Sequence, residues 1–285
     1  MITSGATASS YVCANMINHH SDDEVILLES THSSNYLPWV NKNWKIKICK
    51  LLDYHLPVVN LISLLSPYTK VVVLHAMSNV LGYDLDLAKT LQIVKDYNPN
   101  IITVVDACQY QYKVFPIVNA DIWFISAHKH HGPSGVGALC ISDNATTFEI
   151  CSVISGGGMA KFKLGGTPPV ASVIGWGATV DWLLPLQANL RIYTDNLSSY
   201  AYKAVKSIGK VISSPNSHII SLYHSYAEDL AIYLAAKNIY VRSGLCCAPY
   251  ATDGNIIRIS LCAYNDQSDI DRCIEEITKA LAIIV

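Results

Sequence analysis

The segment ADIWFISAHKHHGP, residues 120–133, sets the expected fold of this chain. It begins with an apolar run typical of a buried strand, reaches a lysine, Lys129, between histidines, and ends in a Gly-Pro turn. A lysine on a solvated face would be ordinary. A lysine at the end of a buried strand is chemically different, because burial lowers the pKa of a lysine and makes its neutral amine available as a nucleophile.

Similar apolar runs precede this segment at intervals along the chain. Helix-compatible stretches separate them, such as residues 84–98, with apolar residues at helical spacing. Repeated strand-helix-strand units predict an α/β fold with a mostly parallel sheet flanked by helices, which binds its ligand at the carboxyl ends of the strands. The predicted strands cover residues 24–29, 44–51, 70–79, 100–109 and 120–129, with a return strand at 135–141.

The C-terminal part of the chain has the pattern of a smaller α+β unit. A long helix over residues 173–183 comes before it. We therefore predict a large, cofactor-binding domain over residues 1–186 and a small domain over residues 187–285. In the small domain the predicted strands cover residues 217–224 and 255–265, and the predicted amphipathic helices cover residues 225–238 and 266–284.

Composition excludes several classes of function for this 285-residue chain. Its formal net charge is -2 and it has no run of basic residues, which argues against binding to nucleic acid or to an anionic membrane. No apolar run predicts a membrane span, and residues 1–10 have no signal-peptide pattern. The nine cysteines are odd in number and scattered, which favours a reducing, cytoplasmic compartment over a disulfide framework.

Two strand ends carry residues with possible chemistry. Asp106 and Gln109 end one predicted strand; Ser126, His128 and Lys129 end the next. An aspartate and a lysine so placed could form a simple ion pair. The alternative is a site for pyridoxal 5'-phosphate, which needs a lysine to form a Schiff base with its aldehyde and an acid to keep its ring nitrogen protonated.

A phosphate group also needs a binding loop. The stretch TSGATASS, residues 3–10, is a loop of small residues that leads into a predicted helix. Backbone N–H groups at the start of that helix, with the Thr7 hydroxyl, would bind an anion. Many loops of this composition are only turns, so the loop alone leaves both interpretations open.

Eight short motifs follow one another along the chain: SGATASS, THSSNYLPW, HAMSNVLG, VVDACQ, SAHKHHGPSGVGAL, GGTPP, VRSGLCCAP and IRISLCAYN. Taken together, these motifs resemble the cysteine desulfurases of the class V aminotransferase group, which have fold type I of the pyridoxal phosphate enzymes. The resemblance spans nearly the whole chain, and the compact cysteine loop is similar to that of SufS-type desulfurases and selenocysteine lyases.

The resemblance implies a role for each cofactor-site residue. Lys129 holds the cofactor and moves the Cα proton of the substrate, Asp106 pairs with the pyridine nitrogen, and Gln109 bonds the phenolic oxygen. Thr167 reaches the phosphate of the partner subunit, which implies a homodimer. The other implied residues are His32, which stacks on the cofactor ring and takes part in catalysis, and Ala6, Thr7, Ser126 and His128, which bind the cofactor around its phosphate.

The substrate side is also implied by the resemblance. Asn79 and Arg258, with Arg242, bind the L-cysteine substrate, and an arginine fork suits a carboxylate. Cys247 attacks the sulfur of the substrate, so that the products are L-alanine and a persulfide that passes to a sulfur-acceptor protein. Cys247 also follows Arg242 by five residues, and a nearby cation favours a thiolate.

The chain departs from the family pattern at three places. The family's opening segment before the SGAT loop is expected to be absent, Ala8 stands where an acidic residue is common, and Leu245 and Cys246 replace a histidine pair. Three alternatives therefore stay open: a selenocysteine lyase or other class V lyase, a catalytically impaired relative that acts as a binding or scaffold protein, and a metal site. The metal site would use His128, His130 and His131, which lack the helical spacing of a zinc pair and a carboxylate partner.

Overall fold

A computed structural model describes residues 1–83, 85–110, 120–143, 145 and 167–284. The chain divides into two compact units. Unit 1 comprises Met1–Leu52, Leu56–Met77 and Leu85–Leu186, and unit 2 comprises Asp53–His55, Ser78–Asp84 and Gln187–Val285.

Unit 1 is built on a seven-stranded sheet in the order β1-β7-β6-β5-β4-β2-β3. Four neighbouring pairs, from β3 across to β6, are parallel, and β7 pairs antiparallel with both β6 and β1. The predicted mostly parallel sheet is therefore confirmed. The strands are β1 (Ile2–Thr3), β2 (Glu24–Leu28), β3 (Lys45–Cys49), β4 (Thr69–His75), β5 (Ile102–Asp106), β6 (Ile122–Ser126) and β7 (Gly137–Ile141).

The central strands are buried along almost their whole length. All five residues of β2 are buried, as are residues 71–75 of β4 and residues 102–105 of β5. Near-continuous apolar strands of this kind are expected where helices cover both faces of a parallel sheet. Because such strands show as uninterrupted apolar runs, they could be recognised in the sequence.

Among the described residues, five α-helices belong to unit 1. The segment that was predicted as helical contains the helix Leu87–Tyr97, which is capped by Asp86, whose side chain accepts a hydrogen bond from the backbone N–H of Lys89. Its buried side chains Leu87, Leu91 and Val94 follow the helical period that predicted it. The helices are α1 (Ala6–Met16), α2 (Ser33–Asn41), α3 (Val58–Leu64), α4 (Leu87–Tyr97) and α5 (Val170–Leu183).

The strand predicted over residues 120–129 ends earlier than expected. β6 stops at Ser126, and Ala127–His130 form a short 3-10 helix. The helix closes with His131 in the left-handed region at φ 59° and with a hydrogen bond from Gly132 N to Ala127 O, 2.9 Å long. The chain therefore leaves the strand conformation before it reaches the Gly-Pro turn, and Lys129 lies on the 3-10 helix.

One buried carboxylate joins the two strands that carry site residues. Asp121, directly before β6, accepts hydrogen bonds at Oδ2 from the backbone N–H of Thr103 on β5 and from Lys95 Nζ on α4, at 2.7 and 2.6 Å. A buried carboxylate needs such partners. Asp121 thereby fixes β6 beside β5 at the end of the strands opposite to Asp106 and Ser126.

Unit 2 contains a four-stranded antiparallel sheet in the order β10-β11-β9-β8, with three helices. The predicted helix over residues 266–284 is confirmed, and its buried Ile270, Cys273, Ile277 and Ala280 form one face. Within the described residues, no helix combines the length and the apolar character needed to cross a membrane. The elements are α6 (Gln187–Lys206), β8 (Lys210–Val211), β9 (Ile219–Tyr223), α7 (Ala227–Ala236), β10 (Arg242–Ser243), β11 (Ile256–Ser260) and α8 (Gln267–Ile284).

A short segment from the first half of the chain, residues 78–84, packs into unit 2. Ser221 on β9 donates a hydrogen bond from Oγ to the carbonyl oxygen of Val80. Gly82 has φ 58°, and a Cβ at this position would overlap the carbonyl oxygen of Ile219. This close approach of two backbones requires glycine.

Candidate active site

The carboxyl edge of the parallel strands in unit 1 carries the first predicted site residues. β5 ends at Asp106, whose backbone pairs with His75 at the end of β4 and with Phe124 on β6. β6 then ends at Ser126. Asp106 and Ser126 therefore lie at the same end of neighbouring strands, where α/β sheets bind their ligands.

Lys129 lies on the 3-10 helix that follows β6 and is half-buried. Among the described residues, none forms a hydrogen bond or an ion pair with its Nζ, so the simple ion pair with Asp106 is not formed. Both charges nevertheless act on one buried thiol. Burial raises the pKa of Cys108 well above its usual value, the Asp106 carboxylate raises it further, and the Lys129 ammonium lowers it. Lys129 and Asp106 therefore lie within electrostatic reach of the same sulfur.

The start of α1 contacts the end of β6. Ser126 Oγ accepts a hydrogen bond from the backbone N–H of Ala6 at 2.8 Å. Gly5, just before the helix, has φ 134°, and a Cβ there would lie 3.3 Å from Ser126 Oγ. In the described part of the chain, the backbone N–H groups of Thr7 and Ala8 have no hydrogen-bond partner. The helix end therefore offers free donors and the positive end of its dipole to an anion.

Three further predicted residues surround this edge on different elements. His32 caps α2, because its Nδ1 accepts a hydrogen bond from the backbone N–H of Ser34 at 3.1 Å. This capping explains its position on α2, and its stacking on a cofactor ring stays a prediction. Gln109 lies in the turn after β5. His128 lies on the 3-10 helix, where desolvation and then the charge of Lys129 lower its pKa.

Thr167 is exposed directly ahead of α5, and it has no hydrogen-bond partner in the structure described here. The glycines of its GGTPP motif, residues 165 and 166, lie outside the described residues, as does Cys151. The predicted contact of Thr167 with a partner subunit stays a prediction.

The sequence suggested His130 only as a candidate metal ligand, and the structure shows a different role for it. Burial lowers the pKa of its ring to about 4, while a hydrogen bond with the backbone of Ala107 opposes this shift. Ala107 directly follows Asp106, so His130 links the turn that carries Lys129 to the strand end that carries Asp106. The sequence shows a histidine at this position in the HKHH stretch, but no pattern in the sequence predicts that its ring is buried. Within the described ranges, no group of three or more His, Cys, Asp or Glu side chains could hold a metal ion.

Unit 2 contains the predicted cysteine loop between β10 and β11. Arg242 on β10 donates a hydrogen bond from Nη2 to Cys247 Sγ at 3.5 Å. Arg242 is exposed and Cys247 is half-buried. The structure therefore brings together the cation and the thiol that were paired in the sequence by their five-residue spacing.

The other two predicted substrate residues lie beside the same loop. Asn79 Nδ2 donates a hydrogen bond to the carbonyl oxygen of Cys246 at 2.7 Å, and Arg258 Nη1 donates one to the carbonyl oxygen of Asn79 at 2.9 Å. Burial lowers the pKa of Arg258. Its Nε is buried and has no hydrogen-bond partner among the described residues. Arg258 therefore keeps donor capacity for an anion, which is how a carboxylate would be bound.

Comparison with known proteins identifies the family. A family model for aminotransferase class V matches residues 1–273. The chain belongs to the aminotransferase class V family. The family resemblance predicted from the motifs is therefore confirmed.

Curated relatives of this class V chain include cysteine desulfurases. A probable cysteine desulfurase of Ureaplasma parvum is 30% identical over 98% of this chain and 77% of the relative. The cysteine desulfurase CsdA of Escherichia coli is 29% identical over 92% of this chain and 73% of the relative. The crystal structure of E. coli CsdA superposes with a TM-score of 0.89 at 24% identity, covering 100% of this chain and 79% of that one, and confirms the fold.

Proposed function

We propose that this class V chain is a pyridoxal phosphate-dependent cysteine desulfurase, which converts L-cysteine to L-alanine and leaves the sulfur on Cys247. The observation that carries the proposal is the half-buried Cys247 thiol, which Arg242 holds through a hydrogen bond at 3.5 Å. The cofactor lysine and aspartate are expected in the class V family in general, whereas a thiol placed in this loop is what a desulfurase needs. The cysteine desulfurases among its relatives support the same conclusion.

The residues at the carboxyl edge of unit 1 fit pyridoxal phosphate. The Lys129 amine, which no described residue binds, suits the aldehyde, and the Asp106 carboxylate suits the ring nitrogen. The free N–H groups of Thr7 and Ala8 suit the phosphate, with Ser126 and His128 as further candidates. When bound, the cofactor supplies an electron sink for the substrate Cα.

The protein residues would then divide the reaction between them. Arg258 binds the substrate carboxylate through its fork of donors, with Asn79 beside it. Lys129 moves the proton of the substrate Cα. Cys247 attacks the substrate sulfur, so that a bond forms between Cys247 Sγ and that sulfur while the bond from the sulfur to the substrate Cβ breaks. The electron pair of the broken bond stays with the substrate, and protonation of the carbon gives the methyl group of alanine.

The proposal includes a second copy of the chain and a sulfur acceptor. Thr167 precedes α5, on which Ile174 and Trp182 are 67% and 61% exposed. Exposed apolar residues of this size on one helix are typical of a protein interface, which supports the homodimer. The persulfide on Cys247 would pass to an acceptor protein. The cysteines of the described residues are free thiols, in keeping with a reducing, cytoplasmic compartment.

The proposal is tested first by measuring products. The purified chain is supplied with pyridoxal phosphate, its visible absorbance is recorded, and L-cysteine is added while alanine and sulfide are assayed. In Cys247→Ala we expect the absorbance band to remain and alanine formation to be lost. Cys262→Ser is the matched control, because Cys262 lies in unit 2 and contacts Asn265 instead of an arginine. Alanine formed equally by Cys247→Ala would refute the role of Cys247.

Lys129→Ala tests the cofactor site separately. We expect the visible band to disappear and the rate of alanine formation to fall by at least about 10²–10⁴-fold, the usual contribution of a general acid or base. The control is Lys89→Ala, an exposed lysine on α4. A band without alanine in the wild type would indicate an impaired relative, and turnover of L-selenocysteine alone would indicate a selenocysteine lyase.

A further inference from the structure

Two adjacent thiols form the tip of the loop between β10 and β11. Cys246 and Cys247 have φ angles of 47° and 63°, both in the left-handed region. Residues other than glycine rarely adopt this conformation, and two in succession persist only where the surroundings hold them. The pair is therefore a fixed structural feature of unit 2.

Hydrogen bonds on both sides of the pair hold it. Asn79 Nδ2 donates to the carbonyl oxygen of Cys246 at 2.7 Å. The backbone N–H of Ala248 donates to the carbonyl oxygen of Leu245 at 2.9 Å, closing a turn around the two cysteines. The backbone carrying both sulfurs is thus held in one conformation.

The two thiols differ in access to solvent and in their hydrogen bonds. Cys246 is only 4% exposed, whereas Cys247 is half-buried and accepts the hydrogen bond from Arg242. Burial raises the pKa of Cys246, and the charge of Cys247 raises it further, while the guanidinium groups of Arg258 and Arg242 lower it. Cys247 is therefore the thiol that meets an incoming substrate, and Cys246 lies buried behind it.

We propose that Cys246 is a resolving thiol, which attacks the sulfur of Cys247 once that sulfur carries a persulfide, releases sulfide and leaves a disulfide between the two adjacent cysteines. This inference rests on the proposed function, because the desulfurase reaction supplies the persulfide. It gives the chain a route of sulfide release that needs no acceptor protein.

The step balances without an external oxidant. Cys246 loses its proton and its sulfur bonds to Cys247 Sγ. The bond between Cys247 Sγ and the outer sulfur breaks, and the outer sulfur takes the electron pair and leaves as hydrogen sulfide with that proton. The outer sulfur is reduced, the Cys246 sulfur is oxidised, and the Cys247 sulfur exchanges one sulfur partner for another. A thiol reductant then reopens the disulfide by thiol-disulfide exchange.

The closeness of the two residues makes the disulfide easy to reopen. Cα atoms across a trans peptide are about 3.8 Å apart, whereas unstrained disulfides usually join Cα atoms about 4.4–6.8 Å apart. A bond between adjacent residues is therefore strained, and strained disulfides are the readily reduced ones. The dithiol would recover in any compartment that contains a small-molecule thiol.

The first test follows sulfur on the holoenzyme. Holoenzyme receives one equivalent of L-cysteine without added reductant, is quenched with iodoacetamide, and is analysed by peptide mass spectrometry and for alanine. In the wild type we expect Cys246 and Cys247 to be linked and sulfide to be released. In Cys246→Ala we expect the persulfide to accumulate on Cys247. Alanine with an equally stable persulfide in the wild type would overturn the resolving role and leave the desulfurase intact.

The second test does not depend on desulfurase activity. Holoenzyme is treated with 5,5'-dithiobis(2-nitrobenzoate), which places an aromatic disulfide on an accessible thiol. In the wild type we expect Cys246 to displace the aromatic thiol from Cys247, so that the two cysteines become linked and Cys247 keeps no label. In Cys246→Ala the label stays on Cys247. A lasting label on wild-type Cys247, or no label there in either protein, would overturn the proposal even if no alanine is formed.

A control and a pH profile exclude a purely structural effect of the substitution. Cys262→Ser should behave as the wild type in both tests. Displacement of the label should accelerate by up to about tenfold per pH unit, since the thiolate is the attacking form. The groups that face Cys246 and set this profile are Cys247 in the loop, Arg242 on β10 and Arg258 on β11. A rate independent of pH between 7 and 9 would contradict attack by the Cys246 thiolate.

Discussion

His130 lies one position after Lys129, and its imidazole is largely buried. Removing the ring from water disfavours its charged form, which is why its pKa falls to about 4. The hydrogen bond to the backbone of Ala107 ties the ring to the residue that follows Asp106. A neutral His130 therefore adds no positive charge beside Lys129 at neutral pH.

This shift makes the stability of unit 1 depend on pH. The unfolded histidine has a pKa of about 6.5, so the unfolded state binds more protons below that value and the folded state loses stability as the pH falls from about 6.5 towards about 4. Between pH 7 and pH 5 the loss amounts to about 2 kcal/mol. We expect the Tm of His130→Asn to fall about 4 °C less than that of the wild type over this range.

Thermal unfolding of the chain at both pH values measures the difference. His20→Gln is the control, because His20 is exposed and its substitution should leave the wild-type dependence on pH. Equal slopes for the wild type and His130→Asn would show that His130 titrates alike in the folded and unfolded states.

The chemical role of a residue could be predicted where its type and its neighbours in the sequence indicate that role. Lys129, Asp106 and Cys247 stand in motifs whose residue types already indicate their chemistry, and the five-residue spacing from Arg242 placed a cation beside the thiol. The roles assigned to these residues stay predictions. The burial of His130 was not predictable, because His128 and His131 are also histidines and are exposed. The three residues differ only in what packs around them.

At the scale of elements, the end of β6 and the start of α1 depend on each other. The Ser126 hydroxyl is buried, and it is the acceptor for the first N–H group of the helix at Ala6. A donor left without an acceptor in a buried setting costs about 1–3 kcal/mol. The helix end that offers free N–H groups to an anion is therefore held in place by the neighbouring strand.

Ser126→Ala removes this acceptor. We expect a lower Tm in the absence of cofactor, corresponding to a loss of about 1–3 kcal/mol, and a weaker affinity for pyridoxal phosphate, measured by fluorescence titration. Ser63→Ala on α3 is the matched control, since its hydroxyl bonds only the carbonyl oxygen of Asn60 and is exposed. An unchanged Tm together with an unchanged affinity would show that the hydrogen bond stabilises neither the fold nor the site.

Helices and strands differed in how well the sequence predicted their bounds. The starts of the long apolar strands and of α8 were predicted within two residues, because each spans enough residues to show its period. The strands predicted over residues 70–79, 100–109 and 255–265 end earlier, at His75, Asp106 and Ser260. The two-residue strands β1, β8 and β10 are too short to show a period at all. The 3-10 helix at Ala127–His130 was predicted as strand, because its four residues are too few to show a helical period after the apolar run.

At the scale of the whole molecule, residues 78–84 belong to unit 2 although they lie far from it along the chain. Contacts with β9 and β11 hold this segment, through Ser221 and Arg258. A local analysis of the sequence cannot group residues that are more than a hundred positions apart. The domain boundary predicted between residues 186 and 187 stays a prediction.

Gly82 tests the packing of this segment. Gly82→Ala would place a side chain in the left-handed region and against the carbonyl oxygen of Ile219, so we expect a loss of at least about 1–2 kcal/mol from backbone strain alone. Gly177→Ala is the matched control: Gly177 lies in α5 with open space around it, and alanine should stabilise that helix by about 0.5–1 kcal/mol. Thermal unfolding should lower the Tm of the first variant and raise that of the second; the same sign for both would contradict this packing.

The hydrogen bond between Ala6 and Ser126 joins residues 120 positions apart. Contacts between such distant parts of a chain form slowly, because the intervening loop must close first. During synthesis, α1 leaves the ribosome long before the strand that completes its anion-binding end. If α1 binds the cofactor phosphate as proposed, cofactor binding follows this late contact. A nascent chain interrupted before residue 126 would have the small-residue loop without the Ser126 hydroxyl that holds Ala6.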